Sequence, residues 1–343
     1  MTMGIETGTG GLWISNQSAL GTQALTSAAS TLRLRKATDD TLKSGKTHGR
    51  EAYVDGAAYD SSTPYVDMVA GDVGQFVFQS QIETGAAAIA RHVGADVVTG
   101  ASDPWTHTIA TGTTNPVNET IREKTGIAVG PYRAVWWDAI LNKLTINCGH
   151  DQNVKHIAAA IQCLKAAEIG SLTDPVAVDS GTDPWRWGEA ATAVTIGATP
   201  FPEFSGETIE MDRAWTTKQG DNIEPIFFVP GRGAITRAFD GAVTDTLLPQ
   251  LQLALYGNTA PSVGTRTTSQ PSNVALKTVY TRSATRTITY DTPKVEVKPD
   301  DIVIGTKPQG GLTSIAFGGQ ALAGGSPMMT VTALTGQSTS YIT

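Results

Sequence analysis

Residues 154–170 read VKHIAAAIQCLKAAEIG, and whether they form a helix or a strand decides how the middle of this chain is built. Val154, Ile157, Ala158, Ile161 and Leu164 recur at helical spacing, while Ile157, Ala159, Ile161 and Cys163 alternate as a half-buried strand would. The preceding GHDQN is good turn chemistry after a strand, and NKLTINC (142–148) supplies an alternating run just before it. The residues by themselves leave both readings open.

Around this stretch the chain reads as β-rich. Threonine and valine are abundant, glycine numbers 36, and short alternating runs are bounded by Gly, Pro, Asn and Asp. The clearest runs are TLRLRK (31–36), GQFVFQS (74–80), WTHTIAT (105–111), ETIEMDR (207–213), IEPIFFV (223–229), GAITRAF (233–239), TRTITY (285–290) and MMTVTAL (328–334). In each, one side chain points in and the next out. Two segments read as short helices: TGAAAIARHVG (84–94), closed by glycine, and TDTLLPQLQLALYG (244–257), with Thr244 as cap and Gly257 as stop.

Long polar stretches break this pattern. Residues 37–72 form a loop too aperiodic for a core, yet they carry Tyr53, Tyr59, Tyr65 and Met68. Tyrosines supply contact area, so this loop is expected to dock on something. Residues 258–275 read as a linker without aromatic content, and residues 1–30, including GTGGLW (8–13), as a flexible arm. The expected organisation is thus an arm, then one domain over 31–343.

The bounds on function are mostly exclusions. With 343 residues the chain can bury a sizeable core. A net charge of -7 and only 17% charged residues argue against a surface that grips phosphates. No run approaches the ~18–20 apolar residues that span a bilayer. The N-terminal stretch lacks a basic flank and a continuous apolar run, so it is not read as a signal peptide. The expectation is a soluble product made inside a cell or released by lysis. Cys148 and Cys163 make no disulfide framework, although one bridge between them fits the count.

Candidate chemistry is sparse. Cys148, His150, His156 and Cys163 are metal-ligand types, but structural zinc uses paired ligands two to four apart on both sides of a loop, and the second pair is missing. No G-x-S-x-G elbow accompanies the histidines at 48, 92, 107, 150 and 156. Asp138, after Trp136 and Trp137, has the composition of a sugar cleft, but a cap or a cross-sheet pair is the expected reading. DPWTHT (103–108) gathers an acid, a tryptophan and a histidine, and the second DPW at 183–185 marks the motif as a strand entry. Asn118 in NET is a chance glycosylation match. No catalytic, cofactor or metal residue is expected.

The order of elements carries more. A Gly-rich arm with GTGGLW and ALGT, then TLRLRK, a long polar loop, GQFVFQS, a short helix and DPWTHTI precede a two-strand unit, YRAVWWDAILNKLTINCG with VKHIAAAIQCLKAAEIG. SGETIEMDRAW, an IEPIFFVPGRGAITRAF pair, a helix and a last strand set ending PMMTVTALTG follow. This order resembles the major tail tube protein of long, non-contractile-tailed bacteriophages, of the kind found in phages of actinobacteria, over nearly the whole chain. The resemblance tips 154–170 toward a strand.

The resemblance implies a mainly β fold: a tail-tube β-sandwich with one or two short helices, lending strands to a barrel shared between subunits. Hexameric rings stack into the tail tube of the virion, assembled in the host bacterial cytoplasm, with tape measure and terminator or initiator proteins as partners. About four strands from each of six subunits, ~4.8 Å apart and tilted ~40°, give a backbone diameter of about 48 Å and a lumen of roughly 35–40 Å. Duplex DNA passes through such a lumen without specific binding, and an acidic wall lets it slide. No cofactor or membrane is implied. Within the 37–72 loop, Lys43, Lys46, Arg50, Glu51, Tyr53 and Tyr59 are the candidate inter-ring contacts. Two other readings compete: a glycan-binding or glycan-hydrolysing tail protein using Trp136, Trp137 and Asp138, and a monomeric decoration protein.

Overall fold

A computed structural model describes residues 11–24, 31–35, 42, 46–50, 64–69, 71–80, 82–124, 132–149, 156–167, 178–179, 191–202, 204–220, 225–242, 244–245, 247–259, 272–305, 314–323 and 327–342. Strands β1 (Gly11–Asn16), β2 (Leu32–Arg35), β3 (Lys46–Arg50), β4 (Pro64–Val69) and β5 (Gly71–Gln79) lead to helix α1 (Ile82–Val93). Next are β6 (Val97–Thr99), β7 (Trp105–Ala110), β8 (Glu119–Lys124), β9 (Tyr132–Gly149) and β10 (His156–Ala167). Then come β11 (Val178–Asp179), β12 (Ala191–Ile196), β13 (Thr199–Pro200), β14 (Phe204–Asp212), β15 (Thr216–Gln219), β16 (Pro225–Val229) and β17 (Ala234–Ala242). Helix α2 (Leu248–Tyr256) precedes β18 (Val274–Ser283), β19 (Arg286–Gly305), β20 (Ser314–Ala321) and β21 (Thr330–Thr335). The protein is mainly β.

The opening stretch is a strand. β10 pairs antiparallel with β9 along its length, from His156 opposite Asn147 to Ala167 opposite Val135, and with β5 on its other edge. Helical spacing arose because β10 is covered on both sides in places: Ile157, Ala158 and Ala159 are consecutive and all buried, so strict alternation is lost.

Two long strands organise the main sheet by changing partners midway. One edge of β9 pairs with β8 over its first half and with β14 over its second. β19 does the same, taking β21 along Thr287–Asp291 and β20 along Val295–Gly305. From β14 the sheet runs through β17 to β20 and β19, and β18 and β12 continue from the other edge of β19. β7 and β6 extend it beyond β21, and β1 and β2 extend it beyond β8. These ladders are antiparallel apart from the two-residue β11–β2 contact.

The sheet folds over on itself and encloses two apolar cores. The larger gathers Leu12, Ile14, Phe76, Phe78, Trp136, Ile146, Ile161 and Val331 around α1. Eleven of the twelve α1 residues are buried, Arg91 and His92 among them, so the helix is interior on nearly every side. The smaller core packs Phe201, Phe239, Leu251, Leu276 and Val295 under α2.

Several expectations change here. GTGGLW is not wholly a flexible arm: its last residues enter β1, where Leu12, Trp13 and Ile14 are all buried. Both faces of β1 are covered, which erased the alternation that marks a half-exposed strand. The 37–72 loop contains a β3–β4 hairpin, and Gly71 and Asp72 already belong to β5. Val274 and Ala275, placed in the linker, begin β18.

The IEPIFFVPGRGAITRAF pair is not a hairpin. β16 pairs with β15 in a separate two-stranded ribbon, while β17 joins β14 and β20. Gly231 in the connection lies so close to Ala214 that a Cβ there would fall 1.9 Å from the Ala214 carbonyl oxygen. The backbone packing of the connection, not a hairpin turn, demands that glycine. α1 and α2 were both legible, but Thr244 does not cap α2 with its hydroxyl. Its carbonyl accepts from the Leu247 and Leu248 amides, and the cap residue is Leu247. Gly257 ends α2 in the left-handed conformation as expected.

Candidate functional site

The run β5–β10–β9–β14–β17–β20 presents one face to the core and the other outward, except along β10, where Ala158 and Leu164 of the outward phase are buried as well. Register places Val77, Ala158, Thr145, Glu210, Thr236 and Gln320 in a single row across all six strands. The neighbouring row holds, by register, Gln79, His156, Asn147, Thr208, Ala238 and Gly318. Small and uncharged polar side chains dominate these rows, so the face is low and smooth. Among the described residues here the charges are Asp72, Lys143, Glu210, Asp212 and Asp240, and Lys143 is matched by Glu210 at 2.8 Å. The surplus is acidic.

The open edges, among the described residues, are those of β5 and, one strand beyond β20, of the last part of β19. Among the described residues β5 has a ladder partner on its β10 side alone, and β19 beyond Val295 has one on its β20 side alone. β5 carries Phe76, Val77 and Phe78 with no Lys and no Pro, and its edge devices, the bulge near Gly74 and exposed Asp72, are confined to its first residues.

Behind the smooth face lies a buried ionic cluster. Glu207 and Arg237 face inward from adjacent strands β14 and β17, both essentially without solvent contact. Arg237 donates to Glu207 through Nε at 2.9 Å and through Nη2, to the Thr278 and Thr292 hydroxyls at 2.7 and 3.2 Å, and to the Leu276 carbonyl at 2.7 Å. The Tyr280 hydroxyl donates to the other Glu207 oxygen at 2.8 Å. Because these partners sit on β18 and β19, the cluster fastens the two layers of the folded sheet. Burial, with the Glu207 charge beside it, pushes the Tyr280 hydroxyl well above its ordinary pKa.

A second buried pair is poorer. Glu119 on β8 is wholly buried, and its nearest cation is Arg91 of α1 at 3.6 Å. Neither carboxylate oxygen has a hydrogen-bond partner among the described residues. Burial therefore raises its pKa to about 7, against the pull of Arg91. Burial likewise lowers Arg91, which also donates to the Ile14 carbonyl at 3.1 Å.

At the C-terminal end of α1, Arg213 spreads its guanidinium over carbonyls that no helical amide can reach. Nε donates to His92 at 2.5 Å, Nη2 to Val93 at 2.6 Å and Nη1 to Thr114 at 3.0 Å. Gly94 follows in the left-handed conformation, with the Asn115 carbonyl 1.7 Å from where a Cβ would stand. Burial lowers Arg213 to about 10 and His92 to about 4, so His92 is neutral and donates Nδ1–H to the Leu141 carbonyl. Beside them opens a pocket of about 340 Å³, floored by Val93, Met211, Ile235 and Met328 and rimmed by Thr113, Asp212, Trp215 and Gly231.

No family model matches this chain, and no curated protein matches its sequence.

The residues singled out from sequence do not converge. Asp103 is exposed and pairs with Arg286 at 2.9 Å, whose hydrogen bond holds its carboxyl below the usual range. His107 is buried elsewhere, between the Asp96 carboxylate at 3.0 Å and the Gln337 carbonyl at 2.9 Å, with Tyr341 stacked 4.4 Å away. Burial opposes its charge, but the bonds to Asp96 and Gln337 outweigh it and raise the pKa. The second DPW lies outside the described residues.

Trp136 is fully buried. Asp138 occupies a bulge on β9 with φ 47°, where its carboxylate accepts from Gln17 Nε2 at 2.9 Å and the Gly21 amide at 2.7 Å, and its amide donates to Gln17 Oε1 at 2.7 Å. That is a clamp on residues 17–21, the structural alternative to the sugar reading. Cys148 and Cys163 are free and buried. Cys163 pairs with Ala139, nine residues from Cys148 along β9, or roughly 30 Å, so no bridge joins them. Among the described residues no group of three metal-ligand side chains forms. His150 is outside them, as are Lys43, Glu51, Tyr53 and Tyr59. Lys46 and Arg50 end β3, opposite Val69 and Pro64.

Glu207, Arg237 and Glu119 were not picked out from the sequence, although a signal was there. Glu207 shares the phase of Ile209 and Met211, Arg237 that of Ile235 and Phe239, and Glu119 that of Ile121. A charge in the apolar phase of a strand is a buried charge.

Proposed function

We propose that this chain is a structural, self-assembling subunit whose rings stack into a phage tail tube, with β10, β9, β14 and β17 turned to the lumen. One observation supports it most: a smooth, mildly acidic sheet face bounded by two open strand edges. Among the described residues this wall is mostly Ala, Thr, Gly and Asn, with a small acidic surplus and Lys143 already matched by Glu210, so it offers a sliding duplex little grip or counter-charge. Open edges at β5 and β19 are satisfied if neighbouring copies pair there, and a head-to-tail contact closes into a ring when the rotation allows. The commitments of Trp136 to the core and Asp138 to the 17–21 clamp weigh against a glycan cleft at those residues.

Electron microscopy of concentrated protein, with and without a nucleating end complex, is the test. Hollow tubes with a lumen wide enough for duplex DNA are expected. A strictly monomeric species by sedimentation, together with absence from the tail of particles that encode the chain, overturns the reading.

A further inference from the structure

The β15–β16 ribbon is separate from the main sheet and rests against β10 and β5. Successive residues of a strand point to opposite faces, yet Ile226 and Phe227 are both exposed, at 57% and 49%. The ribbon therefore stands clear of the body at that point, with large apolar side chains on both faces. A two-stranded ribbon is marginal in water by itself. Phe228, on the Ile226 side, tilts against Trp215 at 6.1 Å, so the Ile226 face turns toward the ribbon's own base. Phe227 points away from it.

At that base lies the pocket beside α1, with an apolar floor of Val93, Met211, Ile235 and Met328 and an exposed rim that includes Thr113. The pocket carries both signs of charge: Arg213, whose guanidinium is held by the His92, Val93 and Thr114 carbonyls, and Asp212, whose Oδ1 accepts from the Ala214 amide at 2.6 Å and whose second oxygen is left to meet a cation. Exposed Lys218 is the cross-strand neighbour of Phe227, and Asp212 sits at the pocket rim.

We infer that the ribbon of one copy inserts Phe227 into the pocket between α1 and β14 of a second copy, with Lys218 meeting Asp212. An apolar knob and a complementary hole at different places on one chain make a heterologous contact, which propagates from copy to copy. This inference rests on the proposed self-assembly and names a surface that carries it.

Single-cysteine variants test the contact. Cys148 and Cys163 are buried, so engineered thiols react without background. Phe227→Cys protein mixed with Thr113→Cys protein under mild oxidation is expected to give a disulfide-linked heterodimer, and the double variant a ladder. Neither single variant should cross-link to itself. Phe227→Asp should raise the concentration needed for assembly at least about tenfold, while Phe227→Leu stays within about threefold. If wild-type protein assembles but the mixture does not cross-link and Phe227→Asp assembles normally, the contact is wrong and the tube reading stands. If wild-type protein does not assemble under any condition, including with a nucleating complex, the tube reading falls and this contact with it.

Discussion

Two buried ion pairs of this protein differ in how completely they are dressed. Arg237 and Glu207 are surrounded by hydroxyls and carbonyls from β18 and β19, and Tyr280 closes the second carboxylate oxygen. Glu119 and Arg91 meet at 3.6 Å, and both Glu119 oxygens lack hydrogen-bond partners among the described residues. Removing a charge from water costs several kcal/mol, which direct attraction recovers when the remaining lone pairs and protons are also satisfied. The first pair meets that condition and specifies how two layers register. The second does not, so Glu119 gives up its charge near neutrality. Burial alone predicts neither outcome, because both pairs are equally buried.

The largest effect should come from breaking the well-dressed pair. Arg237→Met strands the Glu207 carboxylate and is expected to cost about 3–5 kcal/mol in denaturant unfolding. Adding Glu207→Met should restore most of that loss. A double variant as unstable as the single one would mean that the pair's value lies in its hydroxyl network and not in charge balance.

Glu119→Gln should behave in the opposite way. The Glu119 pKa is raised from 4.5 to about 7 in the folded protein, so the folded state holds a proton that the unfolded chain releases between those values. The stability tied to that proton is complete below about pH 4.5 and is lost as pH rises through about 7, a swing of up to about 3 kcal/mol. Glu119→Gln should flatten this slope in unfolding curves taken from pH 5 to 8 and leave the protein at least as stable at pH 8. A slope unchanged by the substitution would place the titration elsewhere.

Arg213 sharpens the contrast, since among the described residues it has no acidic partner and serves three carbonyls, with the Trp215 ring 5.9 Å from its guanidinium carbon. Arg213→Lys keeps the charge but not the fork that reaches three carbonyls, and a loss of about 1–2 kcal/mol is expected, most of it as faster exchange of amides in the last turn of α1. Asp138→Asn should be the mildest, about 1 kcal/mol or less, because an amide oxygen still accepts from Gly21 and Asn tolerates positive φ. Amide exchange at Gly21 reports it directly.

The parts of the fold written in single-faced alternation were legible: β7, β14, β17, β21 and the second half of β9 each show in-and-out phasing in the bare sequence. Elements covered on both sides were not. β1 reads as a Gly-rich arm because Leu12, Trp13 and Ile14 are all interior, and β10 imitates a helix for the same reason. Pairing was harder still. IEPIFFVPGRGAITRAF reads as a pair of strands, yet β16 and β17 belong to different sheets, because proximity in sequence does not fix which edge a strand meets. Of the candidate contacts in the 37–72 stretch, Lys46 and Arg50 fall in a hairpin that polar composition concealed. The buried charges were readable from phase, provided that a lone Glu or Arg in an apolar register was taken as interior.

The partner change along β9 also has a mechanical meaning. Its 18 residues are held on one edge by β10 and on the other by β8 and then β14, with staggered joints like those of overlapping planks. A load along the strand must shear many hydrogen bonds together, whereas a load across the sheet peels them one at a time. Pulling between positions near Val135 and Asn147 should therefore require several times the force needed to strip β5 from β10. A tube wall of such units would be stiff along the strand direction and would yield first where neighbouring sheets meet.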